Sequence, residues 1–481
     1  MTCDIDNGRW VVDWDHCLDI FLWSQDLPEI VLSEAHLPFC WQPALLQWTA
    51  ICHREARAME LAELCGVGMT VNVVQINSGD LIGRRFNGFD LKPYLEANGV
   101  EATQLVYWNK QSDADFVSKA FDYPGSRMLT RGLTIIENQI SQHARLHPHS
   151  WTLTNHSKVK QADLMHLHII HDGYFSLSAL PYVTRRKPTV WTWHDPWPMT
   201  GHCIYPLQCS RWQSGCGSCP DLALPFPMKA DRTAEQYAWK NRIYKNTKAE
   251  IVVASEWMRE MASKSPLAEH FNLNVIPFGL DLNVYSPRDK ANARARLGVF
   301  PDRPVLFIRA SSTPFKGLKQ FLRALHLLDP DLRLCIISMQ ETGHFDDFIG
   351  RHQIIEFGWT NDEKLLLDAY AACDFFVMPS QAEAFGMMAI EAMACARPVL
   401  SVVGTSLPGV TFAPEAGIAV SDADEGALAG AIDHLARNPS ICEQRGKRSR
   451  ELAERHYDIR EQARLTANLY HQTLERFGSI K

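Results

Sequence analysis

The sequence lacks three features that would point to a membrane, a nucleic acid or a secreted protein. No run approaches the ~20 apolar residues of a membrane-spanning helix. The net charge of −7 leaves no overall positive field to attract nucleic acid or anionic lipid. The amino terminus, MTCDIDNGRWVVDWDHC, is acidic and does not show the basic-then-apolar pattern of a secretory signal. We therefore expect a cytoplasmic protein without a nucleic-acid partner.

Internal repeats and low-complexity tracts are also missing, and most cysteines are scattered. The chain has 481 residues, 46% of them hydrophobic and 21% charged, a globular balance that allows about three domains. Most of the 13 cysteines stand singly in apolar segments, as reduced core residues of a cytosolic protein do. Four between residues 203 and 219 form a cluster instead.

Short β-rich runs alternate with helical stretches through most of the chain. The runs are rich in β-branched residues and bounded by polar residues or glycine, which is typical of buried parallel strands. The predicted strands are 69–77, 162–170, 188–193, 250–255, 304–310, 332–338, 375–380 and 397–403. Helices are predicted over 316–328, 362–373 and 385–396. This alternation predicts an α/β fold of two doubly wound parallel sheets in tandem.

The order of these runs divides the chain into four segments. Residues 1–68 fit neither sheet, so we predict that they form an amino-terminal helical extension with one amphipathic helix over 43–65. Peripheral membrane contact is a less favoured role for this extension. Residues 69–288 and 289–455 are predicted as two Rossmann-like lobes with a hinge near 287–302, and 456–481 as a helix returning toward the amino-terminal lobe. Ligands of such folds bind at the carboxyl ends of strands, here across the cleft.

Two glutamates surround a glycine turn at the start of the predicted helix 385–396. Gly386 lets the backbone approach a ligand, so the amides of Phe385, Gly386 and Met387 could hold a phosphate at the positive end of the helix. Glu383 lies before the helix and Glu391 in its second turn. Carboxylates repel a phosphate, so their place beside one makes sense only if they bind neutral hydroxyl groups. Hydroxyl groups on both sides of a diphosphate are typical of a nucleotide sugar. The alternative is a surface glutamate beside a capped core helix.

A second stretch, PVLFIRASSTPFKGLKQFL, adds two cations. Arg309 lies near the end of a predicted strand, and Lys316 precedes Gly317 at the opening of a helix. Both cations would project into the cleft, where they could neutralise a pyrophosphate and stabilise it as a leaving group. The alternative is that both side chains are simply solvated at a strand end.

These stretches together resemble the retaining enzymes of glycosyltransferase family 4, which have the two-domain GT-B fold. The resemblance rests on R-x6-KG at 309–317, on FGWTNDEKLLLDAYAACDFFVMPS before the turn, and on E-x-FG-x4-EAMA at 383–394. It covers about residue 69 to the carboxyl terminus. It implies that Glu383 binds hydroxyls of the donor sugar and that Glu391 binds the ribose. Arg309 and Lys316 would bind the diphosphate. The residues near the base would be Phe357, Gly358 and Trp359.

The chain departs from this family at three places. Phe278 stands where relatives often have asparagine, and SVVGTSLPGV replaces the paired glycines and glutamate that many relatives carry beyond the position of Gly404. After the first strand, NSGDLIGRRFNGFDL carries single glycines with Arg84 and Arg85 between them. We infer an altered acceptor loop that meets a phosphate on the acceptor.

A histidine follows the predicted strand 188–193 by one residue. His194 resembles a family histidine near the transferred sugar, where it would hydrogen-bond the sugar and help to organise an oxocarbenium-like transition state. The alternative is a structural histidine. His166, His168 and His171 on the neighbouring strand could belong to the site or fill the faces of the sheet.

Four cysteines lie in GHCIYPLQCSRWQSGCGSCPDL. Cys203, Cys209, Cys216 and Cys219 could enclose one tetrahedral, structural zinc ion, with disulfides as the alternative. HDPWPMTGHCxY...CxxWxxGCGxCP resembles a branch of the same family that is associated with bacterial surface polysaccharides and carries this cysteine-rich loop. The loop begins nine residues after His194, so it could shape the acceptor opening.

The sequence thus predicts a hexosyltransferase-type enzyme that moves a sugar, with retention, from a UDP- or GDP-sugar to a hydroxyl of a glycan or lipid-linked glycan. The leaving diphosphate would take the acceptor proton, so the chemistry needs no further cofactor. The alternatives are a sugar-nucleotide epimerase or phosphorylase, and a noncatalytic zinc-stabilised binding subunit. We expect a cytoplasmic location, with peripheral contact at the inner membrane face as an option for such an acceptor.

Overall fold

A computed structural model describes residues 2–4, 9–11, 70–121, 125–223, 226–421 and 424–478. The chain divides into two compact units, Met1–Gly68 and Met69–Lys481. In the first unit, β1 (Thr2–Asp4) pairs antiparallel with β2 (Arg9–Val11). The rest of the predicted helical extension, including the amphipathic helix over 43–65, lies outside the described residues.

The amino-terminal lobe of the second unit contains a seven-stranded sheet in the order β5-β4-β3-β6-β7-β8-β9, with every pair parallel. Its strands are β3 (Val71–Gly79), β4 (Val100–Asn109), β5 (Val117–Lys119), β6 (Leu164–Leu167), β7 (Thr189–Trp193), β8 (Glu250–Val253) and β9 (Asn272–Val275). Every residue of β6, β7 and β8 is buried, as expected where helices cover both faces of a parallel sheet.

The helices of this lobe are mostly short. They are α1 (Lys92–Glu96), α2 (Ser126–Gln139), α3 (Ser157–Gln161), α4 (Leu180–Thr184), α5 (Thr233–Tyr244) and α6 (Glu256–Ser263). Ser255 caps α6, because its hydroxyl accepts a hydrogen bond from the amide of Met258. This cap fixes the turn between β8 and α6, which faces the second lobe.

The carboxyl-terminal lobe contains a parallel six-stranded sheet in the order β12-β11-β10-β13-β14-β15. Its strands are β10 (Val305–Ala310), β11 (Cys335–Gln340), β12 (Gln353–Glu356), β13 (Phe375–Met378), β14 (Val399–Val402) and β15 (Ile418–Val420). The predicted architecture of two doubly wound parallel sheets is therefore confirmed.

Helices cover both faces of the second sheet. They are α7 (Lys290–Leu297), α8 (Leu318–Leu327), α9 (Glu363–Ala372), α10 (Met387–Ala394), α11 (Leu407–Val410), α12 (Glu425–Arg437) and α13 (Pro439–His456). The last described helix of the chain is α14 (Ile459–Gly478). Asp289, Asp362 and Asp424 cap the amino ends of α7, α9 and α12 through their carboxylates.

The predicted hinge over 287–302 needs correction. Half of that segment is α7, which packs against α9 and belongs to the second lobe. The chain instead crosses between the lobes in two segments, around Leu280 and around Asp458, and these segments run side by side. The amide of Leu280 donates to the carbonyl of Tyr457 at 2.8 Å, and the amide of Ile459 donates to the carbonyl of Leu280 at 3.0 Å.

The final helix packs on the first sheet, not the second. Buried residues of α14, among them Ala463 and Tyr470, share an apolar cluster with Val71 and Leu95 of the amino-terminal lobe. The carboxyl-terminal part of the chain thus helps to hold that lobe together. None of the described helices has the length and apolar character that a bilayer crossing requires.

Four buried histidines predict that the protein loses stability in mild acid. Burial lowers the pKa of His149, His202 and His352 to about 4 and that of His166 to about 3, against an ordinary value of about 6.5. Between these values the unfolded chain binds more protons than the folded one, so stability falls as pH falls, by up to about 1.4 kcal/mol per pH unit for each proton. We expect urea midpoints to drop steadily from about pH 6.5 toward pH 5; constant midpoints over that range would contradict this expectation.

Candidate active site

The site is built where β10 and β13 end side by side. Arg309 is the penultimate residue of β10, and Lys316 closes the short 3-10 turn Pro314–Lys316 that leads into α8. Gly317 follows with φ +77°, and a β-carbon there would overlap the carbonyl of Pro379 just beyond β13. Only glycine allows this approach, which places Lys316 beside the end of the neighbouring strand.

Arg309 and Lys316 line one open hollow of about 280 Å³. The remaining lining residues come from β13, the turn that follows it and the first turn of α10: Phe376, Val377, Met378, Pro379, Ser380 and Met388. Two cations and a helix start therefore face a shared cavity. This arrangement suits an anion with more than one charged group.

The Glu383 carboxylate neutralises part of this positive charge. The Lys316 ammonium group donates to Glu383 Oε2 at 2.8 Å, and both side chains are mostly buried, with 19% and 15% of their surfaces exposed. The lysine therefore stands between the glutamate and the hollow. A phosphate in the hollow would therefore contact the Lys316 ammonium group, and the Glu383 carboxylate would lie on the far side of that group.

Helix α10 opens at Gly386, which has φ +99° and offers no side-chain cap to the first-turn amides. A β-carbon at Gly386 would approach a methyl group of Leu407 to 2.6 Å, so the turn is closed to larger residues. The amides of Met387 and Met388 have no carbonyl one turn earlier within the helix, whereas the Ala389 amide donates to the Gly386 carbonyl at 3.0 Å. Phe385 is buried, whereas Met387 is half-buried and Met388 lines the hollow.

The predicted base-side residues lie on the adjoining strands. The Arg309 Nε group donates to the Gln340 side chain at the end of β11. The backbone amide of Gln340 in turn donates to the carbonyl of Gly358 at 2.8 Å. Gln340 therefore connects Arg309 to the turn after β12 that contains Phe357, Gly358 and Trp359. Trp359 has 73% of its side chain exposed, which leaves its ring available to a flat partner.

Glu391 has partners that the sequence analysis did not predict. Its carboxylate is fully buried and accepts from Arg85 of the amino-terminal lobe and, at 3.0 Å, from the Tyr370 hydroxyl. Burial raises the pKa of Glu391, while the Arg85 charge opposes that rise. The loop that carries Arg84 and Arg85 was predicted to meet a phosphate on the acceptor; in the structure Arg85 pairs with Glu391, and Arg84 pairs with Asp90 at 2.6 Å.

His194 lies directly after β7, enclosed by aromatic rings. Its ring stacks on Phe278 with centroids 5.7 Å apart and planes 9° apart, and Phe86 contacts it at 5.3 Å. Phe278 also packs edge-on against Phe385 at 5.2 Å, which connects the histidine to the turn before α10. His194 does not line the hollow around Arg309; Phe278 lies between it and Phe385.

A hydrogen bond with a second histidine orients His194. His168 Nδ1 and His194 Nε2 are 3.0 Å apart, so one ring must donate and the other accept. Burial lowers the pKa of His194 to about 4, with Asp195 opposing the shift, and burial also lowers the pKa of His168 well below its ordinary value. Both rings are therefore neutral near pH 7.

The other candidate histidines have separate partners. His166 contacts the Tyr470 hydroxyl and the Thr192 hydroxyl, each at 2.7 Å, and so joins the first sheet to α14. His171 stacks on Trp197 and lies 3.1 Å from the Asp195 carboxylate. Of these three, only His168 touches His194 directly.

The four cysteines are free thiols, and burial raises the pKa values of Cys203, Cys216 and Cys219. Burial is the main cause for Cys203, with a pKa of about 12, and the other three thiols raise it further. The Cys216 sulfur accepts from the Gly201 amide at 3.2 Å, and the Cys219 thiol donates to the Asp221 carbonyl at 3.0 Å. No three His, Cys, Asp or Glu side chains in the described parts of the chain are grouped to hold a metal ion. The structure therefore does not form the tetrahedral cage predicted from the sequence.

The cysteine-rich loop instead carries a tyrosine to the carboxyl-terminal lobe. The Tyr205 ring packs against Phe315 with centroids 5.4 Å apart, next to Lys316. Burial raises the pKa of Tyr205, and the nearby Glu383 and Asp195 carboxylates add to the rise. The Ser255 hydroxyl also donates to the Ala384 carbonyl at 2.7 Å. Tyr205 and Ser255 were missed because nothing in their local sequence indicates these distant partners.

Comparison with known proteins finds a similarity in the lobe that holds this hollow. Residues 289–452 match the family model for glycosyl transferases group 1. The carboxyl-terminal lobe is thus similar to group 1 glycosyltransferase domains. The matched segment contains Arg309, Lys316, Glu383 and Glu391, whereas Arg85 and His194 come from the lobe before it.

Two curated relatives and one solved structure place this domain in a wider context. The chain is 24% identical over 255 residues to a protein named as a colanic acid biosynthesis glycosyl transferase, WcaC, from Escherichia coli (strain K12), covering 50% of the chain and 59% of the relative. It is 26% identical over 282 residues to a D-inositol 3-phosphate glycosyltransferase from Mycobacterium sp. (strain KMS), covering 56% and 60%. The chain thus spans about 60% of the length of these relatives.

The fold also matches sucrose-phosphate synthase from Thermosynechococcus elongatus. The TM-score is 0.59 at 18% identity, over 84% of this chain and 100% of that one. The two parallel-sheet lobes are those of the GT-B fold.

Proposed function

We propose that the protein is a retaining glycosyltransferase of family 4 that transfers a sugar from a nucleotide sugar to a hydroxyl of a glycan or lipid-linked glycan. The observation that carries this proposal is the shared hollow, where Arg309, Lys316 and the start of α10 face one another. The similarity to group 1 domains and the names of the relatives favour sugar transfer over a noncatalytic role.

The hollow supplies the positive field that a departing diphosphate needs. Arg309 and Lys316 bind the two phosphates, and the first-turn amides of α10 add hydrogen bonds, so charge that develops on the leaving group is stabilised. The bond between the anomeric carbon and the diphosphate oxygen breaks as the acceptor oxygen bonds to that carbon on the same face. The acceptor proton passes to the diphosphate oxygen, which makes a strong side-chain base unnecessary.

Glu383 and His194 act on the transferred sugar in this proposal. Glu383 already pairs with Lys316, so a sugar joined to the diphosphate would bring its hydroxyls within reach of the same carboxylate. His194 is neutral near pH 7 and can accept or donate one hydrogen bond to the sugar without competing for the acceptor proton. Its His168 contact sets which ring nitrogen carries the hydrogen.

Glu391 and Trp359 would recognise the nucleoside. Binding of the ribose hydroxyls requires that Arg85 release Glu391, and a released Arg85 would lie near the incoming diphosphate. The exposed Trp359 ring offers a stacking surface for the base. An acceptor used in surface polysaccharide synthesis is the class that the colanic acid relative and the cysteine-rich loop favour.

A donor screen followed by a transfer assay tests the proposal. Thermal unfolding is measured with UDP, GDP and ADP sugars, and we expect one base to raise the midpoint because a ligand of the folded state stabilises it. The stabilising donor is then incubated with and without glycan and lipid-linked acceptors. Transfer with an unchanged anomeric configuration supports the proposal. Three results would overturn it: donor that is epimerised without acceptor, donor that is phosphorolysed when inorganic phosphate replaces the acceptor, or no stabilisation by any of the donors.

A further inference from the structure

Helix α2 (Ser126–Gln139) exposes its apolar side and buries its polar side. Surface helices of globular proteins normally do the opposite, because burial of apolar area stabilises the fold. Four apolar side chains of α2 are largely exposed: Met128 at 79%, Leu129 at 45%, Ile135 at 60% and Ile136 at 49%. Ile140, just after the helix, is 42% exposed. Their spacing places them along one side of the helix.

Polar contacts hold the opposite side of α2 on the protein. The Glu137 carboxylate is buried and accepts from the amides of Ala144, Arg145 and Leu146 at 3.1, 2.6 and 2.5 Å. The Thr134 hydroxyl donates to the Gly173 carbonyl at 3.2 Å. These contacts fix the rotation of the helix, so the outward direction of the isoleucines is set by the fold.

The charges of α2 are unequal around its axis. Arg127 and Arg131 are exposed and follow one edge of the apolar side, while the helix's sole acidic residue, Glu137, is turned inward. The exposed surface of the helix therefore combines large apolar groups with positive charge. Such a surface complements the boundary between the acyl chains and the headgroups of an anionic bilayer.

A hollow at the amino end of α2 adds a second observation. This hollow encloses about 280 Å³ of open space. Its lining consists of three residues of α2 and five aromatic residues: Ser126, Arg127, Thr130, Tyr107, Trp108, Phe121, His149 and Tyr174. The buried Tyr174 hydroxyl has no hydrogen-bond partner within the described residues. A polar headgroup beside Arg127 could supply one.

We propose that the exposed side of α2 docks the protein on an anionic membrane surface, with Met128, Leu129, Ile135 and Ile136 at the acyl boundary and Arg127 and Arg131 at the headgroups. This goes beyond the proposed function, because it assigns a surface outside the cleft. It requires neither a spanning helix nor an overall positive charge. If the proposed function holds, docking brings the enzyme to a surface that could carry a lipid-linked acceptor.

Vesicle sedimentation of the full-length protein tests this inference. The probes are vesicles of phosphatidylcholine alone and vesicles that also contain phosphatidylglycerol. We expect the protein to bind the anionic vesicles and to be released by salt. The Ile135→Glu, Ile136→Glu pair should weaken binding more than about tenfold. Arg127→Gln with Arg131→Gln should weaken it about 30-fold, and only on the anionic vesicles.

Matched controls separate docking from general effects of charge or apolar area. Leu327→Glu and Ile349→Glu change similarly exposed residues of the other lobe, at 59% and 61%, and should leave vesicle binding unchanged. Thermal unfolding of each variant checks that it folds. Failure of the wild-type chain to bind anionic vesicles would overturn the inference. So would a homodimer in solution that the Ile135→Glu, Ile136→Glu pair dissociates, since that outcome would assign the surface to a second copy.

Discussion

Lys316→Ala and Arg309→Ala will each lower the turnover number by about ten- to a thousandfold. Each substitution removes one preorganised charge contact to the departing diphosphate, and such a contact contributes about 1.4–4 kcal/mol to transition-state stabilisation. Both cations face the same hollow, so both variants should show the effect. The measurement is initial-rate kinetics at saturating donor and acceptor, with the donor that the stability screen identifies.

Lys319→Ala is the matched control for these variants. Lys319 is exposed one turn further along in α8 and does not line the hollow, so its removal changes the net charge equally without touching the site. We expect its turnover number to stay within about twofold of the wild type. Wild-type turnover in correctly folded Lys316→Ala and Arg309→Ala variants would show that the cations do not bind the leaving group.

Arg85→Met will lower the free energy of unfolding by about 3 kcal/mol, because it leaves the buried Glu391 carboxylate without its cation. The loss should increase with pH. Burial already raises the pKa of Glu391, and removal of Arg85 raises it further, so the carboxyl group is neutral in acid and becomes a buried, unpaired charge as pH rises. Urea unfolding at about pH 5.5 and about pH 8 measures both effects.

The double variant Arg85→Met, Glu391→Leu provides the control. It removes both charges, and a buried pair replaced by apolar groups often costs little, so it should recover much of the lost stability and show a weaker dependence on pH. Equal destabilisation by Arg85→Met and by the double variant would mean that the pair is not coupled. A loss that shrank as pH rose would contradict the assigned ionisation of Glu391.

Local patterns predicted the elements that build the hollow. The apolar runs at 304–310 and 375–380 contain β10 and β13, and α10 begins after the predicted glycine turn, at residue 387. These features are set by short-range periodicity and by glycine, which sequence reveals directly. Strands β4, β9, β12 and β15 were not predicted, because polar residues interrupt most of them and three of them, β9, β12 and β15, are edge strands.

Contacts between distant parts of the chain could not be predicted in the same way. Arg85 and Glu391 are 306 positions apart, and only the packing of the two lobes brings them together. The same holds for Tyr205 beside Phe315 and for Ser255 beside Ala384. Cysteine spacing likewise does not reveal that the Cys216 sulfur accepts from the Gly201 amide and that the Cys219 thiol donates to the Asp221 carbonyl.

Titration calorimetry with nucleotides tests the central claim most directly, because it isolates the diphosphate contact from the chemical step. The base selected in the stability screen is used as the nucleoside diphosphate and as the monophosphate, against wild type, Lys316→Ala and Lys319→Ala. We predict that Lys316→Ala binds the diphosphate at least about tenfold more weakly, and the monophosphate within about threefold of the wild type. Equal affinity of wild type and Lys316→Ala for the diphosphate would contradict the account.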